Sequence, residues 1–219
     1  PWALLFIVGG HLGGWMMPWV LPGGAASSLA WHQLRRLARG PRATMDNGVQ
    51  RTFRDSVADW AYTAAGAMYM GWTLSLALVL RQESQGLEWV LLALLGTYAT
   101  DTGAFFLGRS LGRRAMAPTI SPGKTWEGAV GGFLTGAGAV VALATFLDLP
   151  ISLWQGAVLG VLVGTLAQVG DLVESIIKRT AGVKDSGGLI PGHGGMLDRL
   201  DSVVFVLVVV YYFFIWTVE

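Results

Sequence analysis

Long apolar runs separated by short, charge-dense segments constrain this chain more than any other feature. A helix needs about 20 predominantly apolar residues to cross the hydrocarbon core of a bilayer. Six stretches approach that length: residues 2–21, 57–80, 88–108, 128–148, 153–177 and 202–218. The first is the weakest, interrupted by Gly9, Gly10, Gly13, Gly14 and Pro18. The fourth, "GAVGGFLTGAGAVVALATFL", is rich in small residues, which let helices approach closely in lipid. Hydrophobic residues make up 53% of the chain before its 31 glycines are counted, and charged residues only 13%. A soluble domain carries about 25% charged residues. Mean hydropathy is +0.53. These features predict an all-α, polytopic helical membrane protein with at least six transmembrane helices. Ten tryptophans fit interfacial anchoring.

With no cysteine, the chain lacks the means for disulfides, iron–sulfur clusters, thiol catalysis or thiolate-bound zinc. The first residue is Pro1, and no basic stretch precedes the apolar run Trp2–Val8, which argues against an intact signal peptide. The expectation is a single integral-membrane catalytic domain over residues 1–219, trimmed at its N-terminus.

Charge placement supports the spans. Of the 15 basic residues, all but Arg81 fall in segments 22–56, 109–127 and 178–201. With six alternating spans these segments share one side, which the positive-inside rule makes cytoplasmic. Acids also enter the spans: Asp101 late in the third, Asp171 and Glu174 late in the fifth. Such acids are costly and usually face a polar cavity or a partner. Asp171, Glu174, Ser175 and Lys178 share one helical face, with Glu174 open to a structural pairing with Lys178. Asp198 and Asp201 stand three apart at the start of the last span. Acids reaching one cytoplasm-facing cavity would make a hard-oxygen site, and with only three histidines the natural occupant is Mg²⁺. One pair could equally be a helix cap with a solvated neighbour.

Two segments suit phosphate. In "RSLGRRAMAPTISPGKTWEGAVGG", Ser121 and Pro122 predict an N-cap and first helical position, aiming free N–H groups at an anion beside Lys124. The "GKT" is no P-loop, because position 118 is proline where glycine is required. In "SIIKRTAGVKDSGGLIPGHGGMLDRLD", glycines permit close backbone approach, and Lys178, Arg179, Lys184 and Arg199 can neutralise phosphate oxygens. His193 could ligate a metal, move a proton or bond a phosphate. The residues thus point to a Mg²⁺-dependent, cytoplasm-facing site for phosphoryl or nucleotidyl transfer.

The second segment resembles the signature of the phosphatidate cytidylyltransferase (CDP-diacylglycerol synthase) family. Ser175, Ile177, Lys178, Arg179, Lys184, Asp185, Gly187, Ile190, Pro191, His193, Gly194, Gly195, Met196, Asp198, Arg199, Leu200 and Asp201 fill its positions. "ISPGKTWEG" is similar to the family's "SPKKTWEG" box, with Gly123 where lysine is common. The resemblance is clearest over 101–219. It implies that CTP and phosphatidic acid condense to CDP-diacylglycerol and pyrophosphate in phospholipid synthesis. Asp171 and Asp198 would hold Mg²⁺, with room for a second cation. Lys178, Arg179, Lys184, Asp185, His193, Arg199 and Asp201 would form the catalytic set. Asp101, Ser121, Lys124, Thr125, Glu127 and Ser175 would hold substrate. The implied setting is a bacterial inner membrane with the site facing the cytoplasm, no nucleic-acid partner, and room for a homodimer. Among the rivals are a membrane transferase or kinase acting on a lipid or polyprenyl alcohol, and an ion-coupled transporter. A CDP-alcohol phosphotransferase is disfavoured, since the D-G-x2-A-R box is absent. The transporter predicts internal repeats, none of which is evident.

Overall fold

A computed structural model of the chain describes residues 53–183 and 197–218, together with 30, 31, 34, 45, 46, 49, 50, 186 and 195. The chain divides into two compact units, Pro1–Val79 and Leu80–Glu219. In the first, β1 (Met45–Asp46) pairs antiparallel with β2 (Val49–Gln50). Helix α1 (Phe53–Ala67) then passes through a π-helical turn, Met68–Trp72, into α2 (Thr73–Gln82), in which the unit boundary falls.

The second unit contains α3 (Gly86–Leu111), β3 (Ala115–Ala117), β4 (Ser121–Thr125), α4 (Trp126–Phe146), α5 (Leu153–Thr180) and α6 (Leu197–Thr217). Among the described residues, five helices are long and apolar enough to cross a membrane: Trp60–Gln82, Gly86–Leu111, Trp126–Phe146, Leu153–Thr180 and Asp198–Thr217. They coincide with five of the six spans read from the sequence, and residues 2–21 lie outside the described residues. The chain is a helical integral membrane protein.

Within the second unit α4 packs on α3 and α5, and α5 on α6. Lipid offers no hydrophobic drive for helices to associate, so close van der Waals packing must hold them. The small-residue span supplies it, with Gly128, Gly131, Gly132 and Gly136 all buried in α4. A Cβ on Gly128 would lie 2.9 Å from the Ala104 carbonyl oxygen and 2.9 Å from the Gly108 Cα. Only glycine lets these backbones meet. Elsewhere Trp89, Leu92, Val140, Leu159, Val163, Leu207 and Phe214 are buried. The Trp89 ring meets Phe214 edge-on at 5.5 Å between centroids. Around the short α4–α5 connection, the Gln155 side chain accepts from the N–H and hydroxyl of Ser152, and Gln85 donates to the Asp148 carbonyl at 3.1 Å.

The structure corrects two expectations. The chain is not purely helical, because two short antiparallel strand pairs are present. Nor does a helix begin at Ser121–Pro122: those residues open β4, which pairs with β3 (Ala117 opposite Ser121, Ala115 opposite Thr125). Pro122 lacks an N–H, but a two-stranded ribbon leaves unpaired positions where none is needed. Helix α4 begins at Trp126, because the Thr125 hydroxyl accepts the Gly128 N–H at 3.1 Å and supplies the N-cap.

Candidate active site

Antiparallel succession of α3 to α6 brings one end of each helix together with the connection 112–125 and with Ser186 and Gly195. At that end lies a cavity of about 240 Å³, lined by Asp101 and Phe105 of α3, Gly123, Lys124 and Thr125 of β4, and Gln168 and Asp171 of α5. Lys124 is placed there by the strand, not by a helix start. Its Nζ lies 2.7 Å from Asp171 Oδ2, an ion pair that lacks hydrogen-bond alignment. Asp201 of α6 interacts electrostatically with Asp171, Asp101 and Lys124, so carboxylates from three helices share the field of one ammonium. Gly170 makes this possible. A Cβ there would stand 2.7 Å from the Asp201 carbonyl oxygen, forcing α5 and α6 apart.

A second cluster centres on Lys178. Its Nζ lies 2.5 Å from Glu174 Oε2 and 2.7 Å from Asp198 Oδ1. Glu174 has a fully buried side chain, and no hydrogen bond aligns on either of its oxygens. Asp198 Oδ2 accepts from the Ser186 N–H at 2.9 Å, the Ser186 hydroxyl at 2.7 Å and the Gly195 N–H at 2.7 Å. Asp198 thereby ties two points of the glycine-rich connection to the first turn of α6. Arg179 Nε donates to the Ile120 carbonyl at 3.1 Å, linking the end of α5 to the β3–β4 turn.

Over residues 3–217 the sequence matches the family described as "Cytidylyltransferase family". The chain belongs to the cytidylyltransferase family. It is similar to a protein named phosphatidate cytidylyltransferase from Staphylococcus saprophyticus, 38% identical over 188 residues, which cover 86% of this chain and 72% of that protein. A protein of the same name from Staphylococcus haemolyticus is 36% identical over 188 residues, again 86% of this chain and 72% of the relative.

In this cytidylyltransferase the candidate residues separate by what they touch. Asp101, Lys124, Thr125 and Asp171 line the cavity, and Asp201 interacts with its charges. Thr125 also caps α4, and Asp201 Oδ1 accepts its neighbour Ser202 N–H at 2.7 Å. Glu127 instead accepts the backbone N–H groups of Arg113 at 3.0 Å and Arg114 at 3.2 Å, fastening the connection. Ser121 is paired in β4, Ser175 is buried in α5, and Arg199 is exposed on α6. Lys184, Asp185 and His193 lie outside the described residues. Gln168 and Ser186 are among the residues that joined the site unforeseen. Gln168, which donates to the Ala129 carbonyl at 3.0 Å, stands one turn before Asp171, a spacing that signals a shared face. Ser186 carried no such signal, since its meeting with Asp198 depends on how the connection folds.

The carboxylates suit a hard divalent cation chemically. Among the described residues, no three acidic or histidine side chains converge closely enough to hold a metal by themselves. A cation here would take Asp171, near Asp101 and Asp201, and complete its shell from substrate phosphates. Asp198 is less open to one, because both its oxygens already accept hydrogen bonds.

Proposed function

We propose that this chain is a phosphatidate cytidylyltransferase, transferring CMP from CTP to phosphatidic acid and releasing pyrophosphate. The observation that carries the reading is the convergence of Lys124, Asp101 and Asp171 on one cavity, with Asp201 in its electrostatic field. They do so in a helical membrane protein similar to proteins of that name. A phosphate oxygen of phosphatidic acid attacks the α-phosphorus of CTP. A new P–O–P linkage forms, the α–β bridging P–O bond breaks, and pyrophosphate leaves with the bonding electrons. The phosphate monoester is already an anion near neutral pH, so no strong general base is required.

Positioning and charge neutralisation dominate such transfers. Lys124, beside Thr125 and Gly123, is suited to the nucleotide phosphates, and Lys178, Arg179, Lys184 and Arg199 to the remaining negative charge. Mg²⁺, held by Asp171 with Asp198 as the second candidate, would supply charge neutralisation for the transferring phosphate when bound. Connections 112–125 and 181–196 share one side if the spans alternate, and their basic residues favour the cytoplasmic side of a bacterial inner membrane.

The test is purified full chain with labelled CTP, phosphatidic acid and Mg²⁺, reading lipid-linked CMP and pyrophosphate. Both should form, and chelating Mg²⁺ should abolish them. A folded preparation that yields no lipid-linked CMP refutes the reading. Asp171→Asn should lose turnover with assembly intact, and full activity in that variant would remove Asp171 from the metal shell.

A further inference from the structure

Outside the cavity, the second unit carries an open groove of about 740 Å³ lined by Leu111, Arg113, Arg114, Trp126, Glu127 and Val130. It shares no lining residue with the Asp101–Asp171 cavity. Leu111 closes one membrane-crossing helix, and Trp126 opens the next. Leu111, Trp126 and Val130 are 60%, 58% and 56% exposed, so an apolar surface sits beside the facing ends of two candidate spans. Beside it are two exposed arginines, and among the described residues neither guanidinium has a carboxylate within ion-pair distance. The one acid in the groove, Glu127, spends its Oε2 on the backbone N–H groups of both arginines, leaving the lining with net positive charge. The backbone here is doubly pinned, since the Trp126 N–H donates to the Arg114 carbonyl at 3.0 Å.

We infer that this groove is a binding site for an anionic phospholipid drawn from the surrounding bilayer. The phosphate lies against Arg113 and Arg114, and the upper acyl chain runs along Leu111, Trp126 and Val130. Arginine forks match phosphate oxygens in pairs, and tryptophan favours the headgroup level. A free phosphate would use the arginines and leave the apolar half of the groove uncovered. A zwitterionic lipid brings a choline that repels the same charge. The occupant that satisfies both halves is a lipid of net negative charge.

The experiment is native mass spectrometry of the full chain released from nanodiscs of phosphatidylcholine doped with phosphatidic acid or phosphatidylglycerol. The parent chain should retain either anionic lipid over phosphatidylcholine. Arg113→Gln/Arg114→Gln should lower that retention by roughly 25-fold, at about fivefold per arginine. Arg113→Lys/Arg114→Lys should recover part of it. Far-UV circular dichroism and elution volume confirm that each variant is assembled. Equal retention of phosphatidylcholine, or unchanged retention in the glutamine variant, overturns the assignment and leaves ordinary annular lipid. A two-chain mass lost only in the glutamine variant would give the groove to a second copy and overturn it as well. Competition by inorganic phosphate but not by lipid would show a soluble anion site instead. Retention needs no turnover, so a catalytically silent chain would still test this site while failing the proposed reaction.

Discussion

Replacing Lys178 by methionine is expected to be the most costly single change in the second cluster. Glu174 is wholly buried, and the side chains of Lys178 and Asp198 are only 17% and 12% exposed. One ammonium therefore neutralises two carboxylates, at 2.5 Å and 2.7 Å. Methionine keeps most of the volume and removes the charge. Breaking a buried pair in this way costs about 3–5 kcal/mol, chiefly because the remaining charge stays buried and unpaired. Glu174 has no aligned hydrogen bond to fall back on. Asp198 keeps its three donors on Oδ2, so the loss concentrates on Glu174. Removing that second charge should then relieve the first substitution, and Glu174→Gln/Lys178→Met should recover about 2 kcal/mol relative to Lys178→Met alone. The assay is equilibrium unfolding in mixed micelles titrated with dodecyl sulfate, followed by tryptophan fluorescence and helical circular dichroism. Simple additivity of the two substitutions, or a Lys178→Met variant within about 1 kcal/mol of the parent, would refute the account of one cation serving two buried acids.

Gly170→Ala should separate α5 from α6, because the new Cβ would meet the Asp201 carbonyl at 2.7 Å and backbone cannot yield as a side-chain tip can. Overpacking of this kind costs about 1–3 kcal/mol. Turnover should fall further than stability, since Asp171 and Asp201 move with the two backbones, and equal kcat values would argue that their spacing is immaterial. Thr125→Val should remove the α4 N-cap and about 1 kcal/mol of stability by the same unfolding titration. Thr125→Ser should restore it, and a valine variant as stable as the parent would exclude the cap.

Much of the fold was legible because lipid imposes one long apolar run per crossing. Five spans fall where hydropathy put them, and the glycines of residues 128–136 are buried where α4 meets its neighbours. The pairing of Lys178 with Glu174 was also within reach, since residues four apart on a helix are adjacent. The start of α4 was misread. "SP" is a good helix opening locally, but pairing with Ala115–Ala117 holds Ser121–Thr125 extended and moves the cap to Thr125. Local preference yields where a partner strand offers hydrogen bonds.

The sequence by itself determined the class of molecule, the places where the chain crosses lipid, and the collection of its charge into the connections. These follow from composition and periodicity, which neighbouring residues carry without help from the fold. Tertiary structure decided which charge meets which. Asp101, Lys124, Asp171 and Asp201 come from four elements and share one cavity or its field only because α3 to α6 pack antiparallel on glycine contacts. Asp198 turns from an open carboxylate into the anchor of Ser186 and Gly195. Glu127 becomes the clasp of an arginine pair. Electrostatic partnership falls off within ångströms, so distances between remote segments, which only packing sets, assign each of these side chains its partner.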